Sequence, residues 1–226
     1  MDCKKMLCML YWLGKIDYGE AYDIQNKLWS QKMNGWAEDA LLMLSHPPTF
    51  TVGKSGKLEN LLLTKEELAR EGISLFFIDR GGDITYHGPG QLVVYPIIDL
   101  KNWEKDIHRY IHCLEEVVIR TLASLSIEAQ RDENHVGVWV GDEKIAAIGV
   151  RIKKWITMHG LALNVNPDLE HFSYINPCGI LDKGVTSITR LLSREVPMES
   201  VVRELVKQFS DVFDIDTEWG SVNSLR

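Results

Sequence analysis

Asn176-Pro177-Cys178-Gly179-Ile180 places a thiol between a proline and a glycine. Proline fixes its own φ and glycine reaches backbone angles that other residues avoid, so the stretch reads as a turn, and turns lie at surfaces. Free cysteines are ordinarily buried as small apolar groups. A thiol held in a turn instead suits a nucleophile, which needs a neighbour that favours its thiolate. Lys144, His87 and His159 are the candidates for that neighbour, and spacing does not choose among them. Cys113 falls in a strongly helical stretch and reads as packing; Cys3 and Cys8 fall in a first strand and receive no role.

Three other stretches have the composition of a binding site. Arg80-Gly81-Gly82-Asp83-Ile84-Thr85-Tyr86-His87-Gly88-Pro89-Gly90-Gln91 contains four glycines, which cost chain entropy unless a tight turn or a close ligand uses them. It lacks the Gly-Lys-Ser/Thr ending of a phosphate-binding loop. Asp142-Glu143-Lys144-Ile145-Ala146-Ala147-Ile148-Gly149 sends a lysine into a strand of small residues, leaving space beside the backbone. Met158-His159-Gly160-Leu161-Ala162-Leu163-Asn164 has a glycine inside a strand pattern, the mark of a bulge or a close backbone approach.

Taken in order, Arg80-Gly81-Gly82-x-x-Thr85-x-His87-Gly88-Pro89-Gly90-Gln91, Lys144-Ile145-Ala146-x-x-Gly149, His159-Gly160-Leu161-Ala162-Leu163-Asn164 and Asn176-Pro177-Cys178-Gly179 resemble the lipoyl(octanoyl) transferase family. The resemblance implies a fold shared with biotin and lipoate protein ligases, with residues 1–226 as one catalytic domain. It implies transfer of octanoyl from acyl carrier protein to a lysine of a lipoyl domain, as found in 2-oxoacid dehydrogenases and the glycine cleavage H protein. It makes Cys178 the acyl-thioester nucleophile and Lys144 its activating partner. Arg80, Gly81, Gly82, Asp83, Ile84, Thr85, Tyr86 and His87 match substrate-contacting positions, as do Ala147, Ile148, Gly149, Gly160, Leu161 and Ala162. Thioester exchange followed by amide formation runs downhill, so no cofactor, metal or ATP is expected. An ATP-dependent lipoate or biotin ligase on the same fold and a non-catalytic lipoyl-domain binder are the alternatives.

The elements that must position these residues follow from periodicity. Helices are expected over Tyr18–Met33, from the Thr64/Glu67 capping box, over about Trp103–Leu125 and over Pro197–Phe213. Strands are expected near the N-terminus and over 41–44, 49–52, 73–78, 92–98, 136–140, 144–152 and 155–165, with Pro96 marking a bulge or an edge. Gly141-Asp142-Glu143 reads as a hairpin turn. The mixture lacks a strict βαβ rhythm and predicts an α+β fold: a mixed, largely antiparallel sheet flanked by helices.

Composition bounds the rest. Hydrophobic residues make up 45% and charged residues 25%, an ordinary globular balance, and no apolar run is long enough to cross a bilayer. A net charge of −7 argues against nucleic-acid binding. No Cys/His group has zinc-ligand spacing, and no secretory signal is seen, so a reducing cytoplasm with free thiols is expected. Acyl carriers and lipoyl domains are commonly acidic, so an acidic enzyme needs a local basic patch; Arg151, Lys153 and Lys154 are the first candidates, with Lys54 and Lys57 behind them.

Overall fold

The computed structural model describes residues 5–35, 37–176 and 183–225, so Cys3 and the predicted nucleophile Cys178 lie outside the described residues. The chain begins with β1 (Leu7–Lys15), α1 (Tyr18–Met33) and β2 (Asp39–Ser45). Three short strands, β3 (Thr49–Val52), β4 (Ser74–Phe77) and β5 (Ile84–His87), follow, with α2 (Lys65–Glu71) between the first two. Next come β6 (Gln91–Ile97), α3 (Ile107–Ala123), β7 (Gln130–Arg131), β8 (Val138–Val140), β9 (Glu143–Lys153) and β10 (Ile156–Asn164). β11 (Gly184–Val185), α4 (Ile188–Leu192), α5 (Met198–Phe213) and β12 (Asp216–Trp219) complete it.

The strands form two sheets. The large one runs β12-β1-β2-β6-β10-β9-β8-β7, with β11 also paired to β9; the small one runs β4-β3-β5. β1 is parallel to β2 and β12, and β11 to β9, while the other pairs of the large sheet are antiparallel. Leu41–Leu44 is buried throughout because the middle of the large sheet is covered on both faces. One face packs on α3 and α5 through Tyr110, Leu114, Val117, Val118, Leu205 and Phe209. The other packs on α1 and, through Phe50, Ile84 and Tyr86, a third cluster belongs to the small sheet.

Several local expectations need correction. The long helix starts at Ile107, not Trp103: the Asp106 carboxylate accepts from the Arg109 N–H at 3.0 Å and caps it. Trp103 lies outside the helix, donating its indole N–H to the Phe213 carbonyl at 3.1 Å. Pro96 is on neither an edge nor a bulged strand. β6 is central, and its ladder with β10 ends at the Val94–Leu161 pair, so Pro96 has no lost bond to make there. The irregularity is on β10 opposite it, where His159 has φ 57° and its N–H is taken by the Gln25 side chain at 2.9 Å. Pairing resumes where the Thr157 N–H bonds the Ile98 carbonyl at 3.0 Å. Pro197 is the cap of α5 rather than a residue of its first turn.

Candidate functional site

The β9–β10 hairpin supplies a floor almost without side chains. Its register sets Gly160 directly opposite Gly149 and Ala162 opposite Ala147. Because side chains alternate across a strand, these four share a face. Ile148 and Leu161 alternate with them and pack into the core beneath α3 and α5, so they offer the cavity backbone. Above the floor sits the Arg80–His87 loop, leaving a cavity of about 430 Å³. Arg80, Gly82, Asp83, Ile84, Thr85, His87, Lys144, Ala147, Ile148, Gly149, Gly160, Leu161 and Ala162 line it. Two expected residues do not. Gly81 bonds the Val150 carbonyl with its N–H at 2.9 Å, tying the loop to β9. Tyr86 turns into the small-sheet core, stacked on His171 with ring centroids 4.9 Å apart.

Arg80 is buried and acts on backbone. Its guanidinium donates to the Thr51 carbonyl at 2.8 Å, to Thr51 Oγ1 at 3.0 Å and to the Gly81 carbonyl at 3.0 Å. Asp83, which also lines the cavity, braces the same scaffold. Its Oδ1 accepts from the N–H groups of Lys57 at 3.0 Å and Ile84 at 2.7 Å, and its Oδ2 accepts from Asn60 at 2.6 Å.

The candidates for a thiolate-stabilising neighbour separate clearly. His87 faces the cavity, but burial, then nearby His46 and Arg80, push its pKa well below the ordinary imidazole value, so it is neutral. Gln91 fixes its tautomer. The amide N–H₂ of Gln91 donates to the Tyr86 carbonyl and to Asn164 Oδ1, leaving Oε1 to accept from His87 Nδ1 at 3.3 Å. His159 faces away, toward Tyr22 and Asp79, with Nε2 3.1 Å from Asp79 Oδ1. Burial outweighs that carboxylate and lowers its pKa to about 4. Lys144 is the remaining cation. It sits opposite Trp139 in the β8–β9 pair, its Nζ 4.7 Å from the indole centroid and 3.3 Å from the Val136 carbonyl. Lys183 reaches the same indole at 4.7 Å and is ion-paired with Asp132. β11 brings Val185 beside Lys144.

Gln91 and Asn164 line the cavity and were legible only as the last residues of their glycine- and leucine-rich motifs. They form a chain from His87 to the Thr186 carbonyl, which accepts from Asn164 Nδ2 at 2.9 Å. Ser55, the 134–136 segment, Phe172 and Val185 complete the wall and carried no signal of their own. The first basic patch also changes. Arg151 pairs with Asp79 at 3.0 Å and lies over Trp29, its side chain only 15% exposed, so it is committed inside the fold. Among the described residues no group of three or more His, Cys, Asp or Glu is arranged to hold a metal, and no helix is long and apolar enough to cross a membrane.

The buried histidines beneath the site set an acid limit on stability. His46 and His159 are held to about 4 by burial, against 6.5 for an exposed imidazole, and burial also holds His87 well below that ordinary value. The unfolded chain therefore binds more protons than the native one once pH drops below 6.5. Stability present at neutral pH is lost as pH falls from there toward 4, by about 2 kcal/mol per histidine between about pH 7 and about pH 5. Urea unfolding at the two pH values checks this; equal midpoints would contradict it.

The lipoyl protein ligase A/B catalytic domain model matches residues 17–210. An octanoyltransferase of Caldicellulosiruptor saccharolyticus is 51% identical over 204 residues, covering 89% of this chain and 87% of that protein. An octanoyltransferase of Solibacter usitatus is 48% identical over 209 residues, covering 92% and 94%. Among solved structures, lipoate-protein ligase A bound with ATP superposes with a TM-score of 0.74 at 18% identity, covering 98% of this chain and 92% of that one. Biotin protein ligase from Aquifex aeolicus gives 0.56 at 13% identity, covering 92% and 70%. These two structural likenesses speak to the fold.

Proposed function

The chain belongs to the lipoyl protein ligase A/B catalytic domain family and, within it, to the octanoyltransferases, and from that premise we propose a two-step transfer through a thioester on Cys178. The protein is an acyltransferase of protein lipoylation. In the proposed first step the Cys178 thiolate attacks the carbonyl of an octanoyl thioester borne by an acyl carrier protein. The bond from that carbonyl to the carrier's sulfur breaks, and the departing thiolate takes a proton from the Lys144 ammonium. In the second step a lysine amine of a lipoyl domain attacks the Cys178 thioester. Its proton passes to Lys144, now an amine, and the Cys178 thiolate is restored. Residues 1–226 act as one catalytic domain in this reading.

The observation that carries it is the meeting of Lys144 with the Arg80–His87 loop and the glycine–alanine floor in one cavity. That cavity falls in the range of small-ligand sites. Ile84, Phe172 and Val185 give it apolar walls for an acyl chain. Backbone N–H groups of the 147–149 segment are the proposed oxyanion donors.

The lysine has a quantitative task. A thiol of pKa about 8.5 is only about 3% ionised at pH 7. An ammonium that lowers the pKa by about two units raises that to roughly three-quarters, an effect of about 2.7 kcal/mol. The indole beside Lys144 and the Val136 carbonyl hold the ammonium at the cavity wall. A thioester donor already carries the energy of the amide it becomes, which is why the reading needs no ATP. Purified protein given octanoyl-carrier protein and a lipoyl domain is expected to form octanoyl-lysine without ATP. A strict need for ATP together with free octanoate would place it with the ligases instead.

A further inference from the structure

We infer that the segment Lys54–Leu62 is the docking surface for the acidic carrier protein that delivers the thioester. The inference rests on the donor assigned in the proposed function. The segment joins the two halves of the site. The Lys54 and Ser55 N–H groups bond the carbonyls of Arg80 at 3.0 Å and Gly82 at 3.3 Å, and Ser55 lines the cavity. At its other end the Asn60 carbonyl accepts from the Asn176 N–H at 2.9 Å, and Leu61 bridges Ile175, so it also abuts the residues that lead into Cys178 in sequence.

The segment is held stiffly. Gly56 closes a tight turn on the Gly53 carbonyl at 3.0 Å, and a Cβ at Gly56 would stand 2.4 Å from Val52. Asp83 grips Lys57 N–H and Asn60 from below. A rim fixed in this way presents its side chains without an ordering cost at the moment of binding.

What it presents is two cations, two apolar side chains and one carboxylate, Glu59, which Lys57 faces. Lys54 and Lys57 are exposed, and Lys57 has only a loose, solvent-exposed contact with Glu59 at 3.5 Å. Leu58 and Leu62 are 57% and 54% exposed, among the most open large apolar residues of the described chain. Apolar anchors ringed by charge are what a transient protein contact uses. Charge selects an acidic partner, and because the lipoyl domain shares that sign its KM serves as the control that separates acceptor from carrier. The protein carries −7 overall, so an acidic carrier is repelled by most of its surface and needs local cations. In the opposing patch Arg151 is occupied by Asp79, and the exposed Lys153 and Lys154 are not among the residues that line the cavity.

The test compares two donors on one protein: octanoyl-carrier protein and octanoyl-pantetheine, which carries the same thioester without the acidic domain. The double variant Lys54→Glu/Lys57→Glu is expected to raise KM for the carrier about tenfold and to reverse its salt dependence. KM for octanoyl-pantetheine and for the lipoyl domain should stay at the wild-type value, which also shows that the variant is folded. Leu58→Asp is expected to raise carrier KM alone. An unchanged carrier KM, or a rise confined to the lipoyl domain, would overturn the assignment. Wild-type protein that accepts octanoyl-pantetheine but not the carrier would instead remove the donor reading on which it rests.

Discussion

Gly160→Ala is expected to cost about 3–5 kcal/mol of folding stability, beyond the usual range for one added methyl group. A Cβ at Gly160 would stand 2.1 Å from the Val94 carbonyl oxygen and 2.7 Å from Pro96 Cδ. Neither neighbour can yield. Val94 and Pro96 belong to β6, a fully buried strand at the centre of the large sheet. His159, in the left-handed region, bends β10 here without shifting its register, and the Gln25 side chain of α1 takes its N–H. Gly149, directly across the hairpin, makes the comparison. Its Cβ would meet the Arg80 side chain at 3.0 Å and the Gly81 carbonyl at 3.1 Å, at the cavity wall, where a side chain can shift. Gly149→Ala should therefore fold with a modest loss of stability while narrowing the acyl cavity. Urea midpoints of the two variants check the contrast, and a Gly160→Ala midpoint equal to wild type would refute the close approach of β10 to β6.

Lys144→Met is expected to lower octanoyl transfer about a thousandfold with little change in stability. Loss of the ammonium returns the thiolate fraction from roughly three-quarters to about 3%, some twenty-five-fold. Loss of proton transfer removes a further factor of about a hundred or more, and the two overlap rather than multiply. The side chain contacts Trp139 and the Val136 carbonyl at the cavity wall, so its removal opens no hole in the core. Lys144→Arg separates the roles. A guanidinium keeps the positive charge that favours a thiolate but does not give up its proton. That variant should acylate more slowly than wild type, since the carrier's thiolate must leave unprotonated, and should lose far more in the second step, where no base takes the proton of the acceptor amine. Equal rates for both half-reactions in Lys144→Arg would show that Lys144 does not act as the base.

Much of this was legible in the sequence, for identifiable reasons. α1 spans the expected Tyr18–Met33, and Thr64 and Glu67 cap each other as their spacing requires. The Gly141-Asp142 turn closes the β8–β9 hairpin, with Gly141 at φ 58°. The lysine and His-Gly motifs converge because β9 and β10 are hairpin neighbours, and the glycine-rich motif joins them through the Gly81–Val150 bond and the Gln91–Asn164 pair. Other features depend on information that periodicity does not hold. Period-2 alternation identifies a strand but not its sheet, which is why the separate β4-β3-β5 sheet was invisible. β11 has two residues, too few for any pattern. Trp103 continued an apolar spacing and overextended α3, although it packs from outside the helix. Trp139 meets Lys144 only through hairpin register, and Arg151 meets Asp79 only through the fold. Asp83 and Tyr86 fall at variable positions within the glycine-rich motif and brace the scaffold and the small-sheet core, roles that only the fold shows.

The most direct measurement is the mass of the purified protein after brief mixing with octanoyl-carrier protein, before any lipoyl domain is added. One octanoyl group should be found on the peptide containing Cys178, should be lost on treatment with hydroxylamine, and should move to the lipoyl domain when that is supplied without ATP. Lys144→Met should accumulate it far more slowly. Full transfer activity with no adduct on Cys178, or an adduct that never passes to the acceptor lysine, would contradict the thioester pathway.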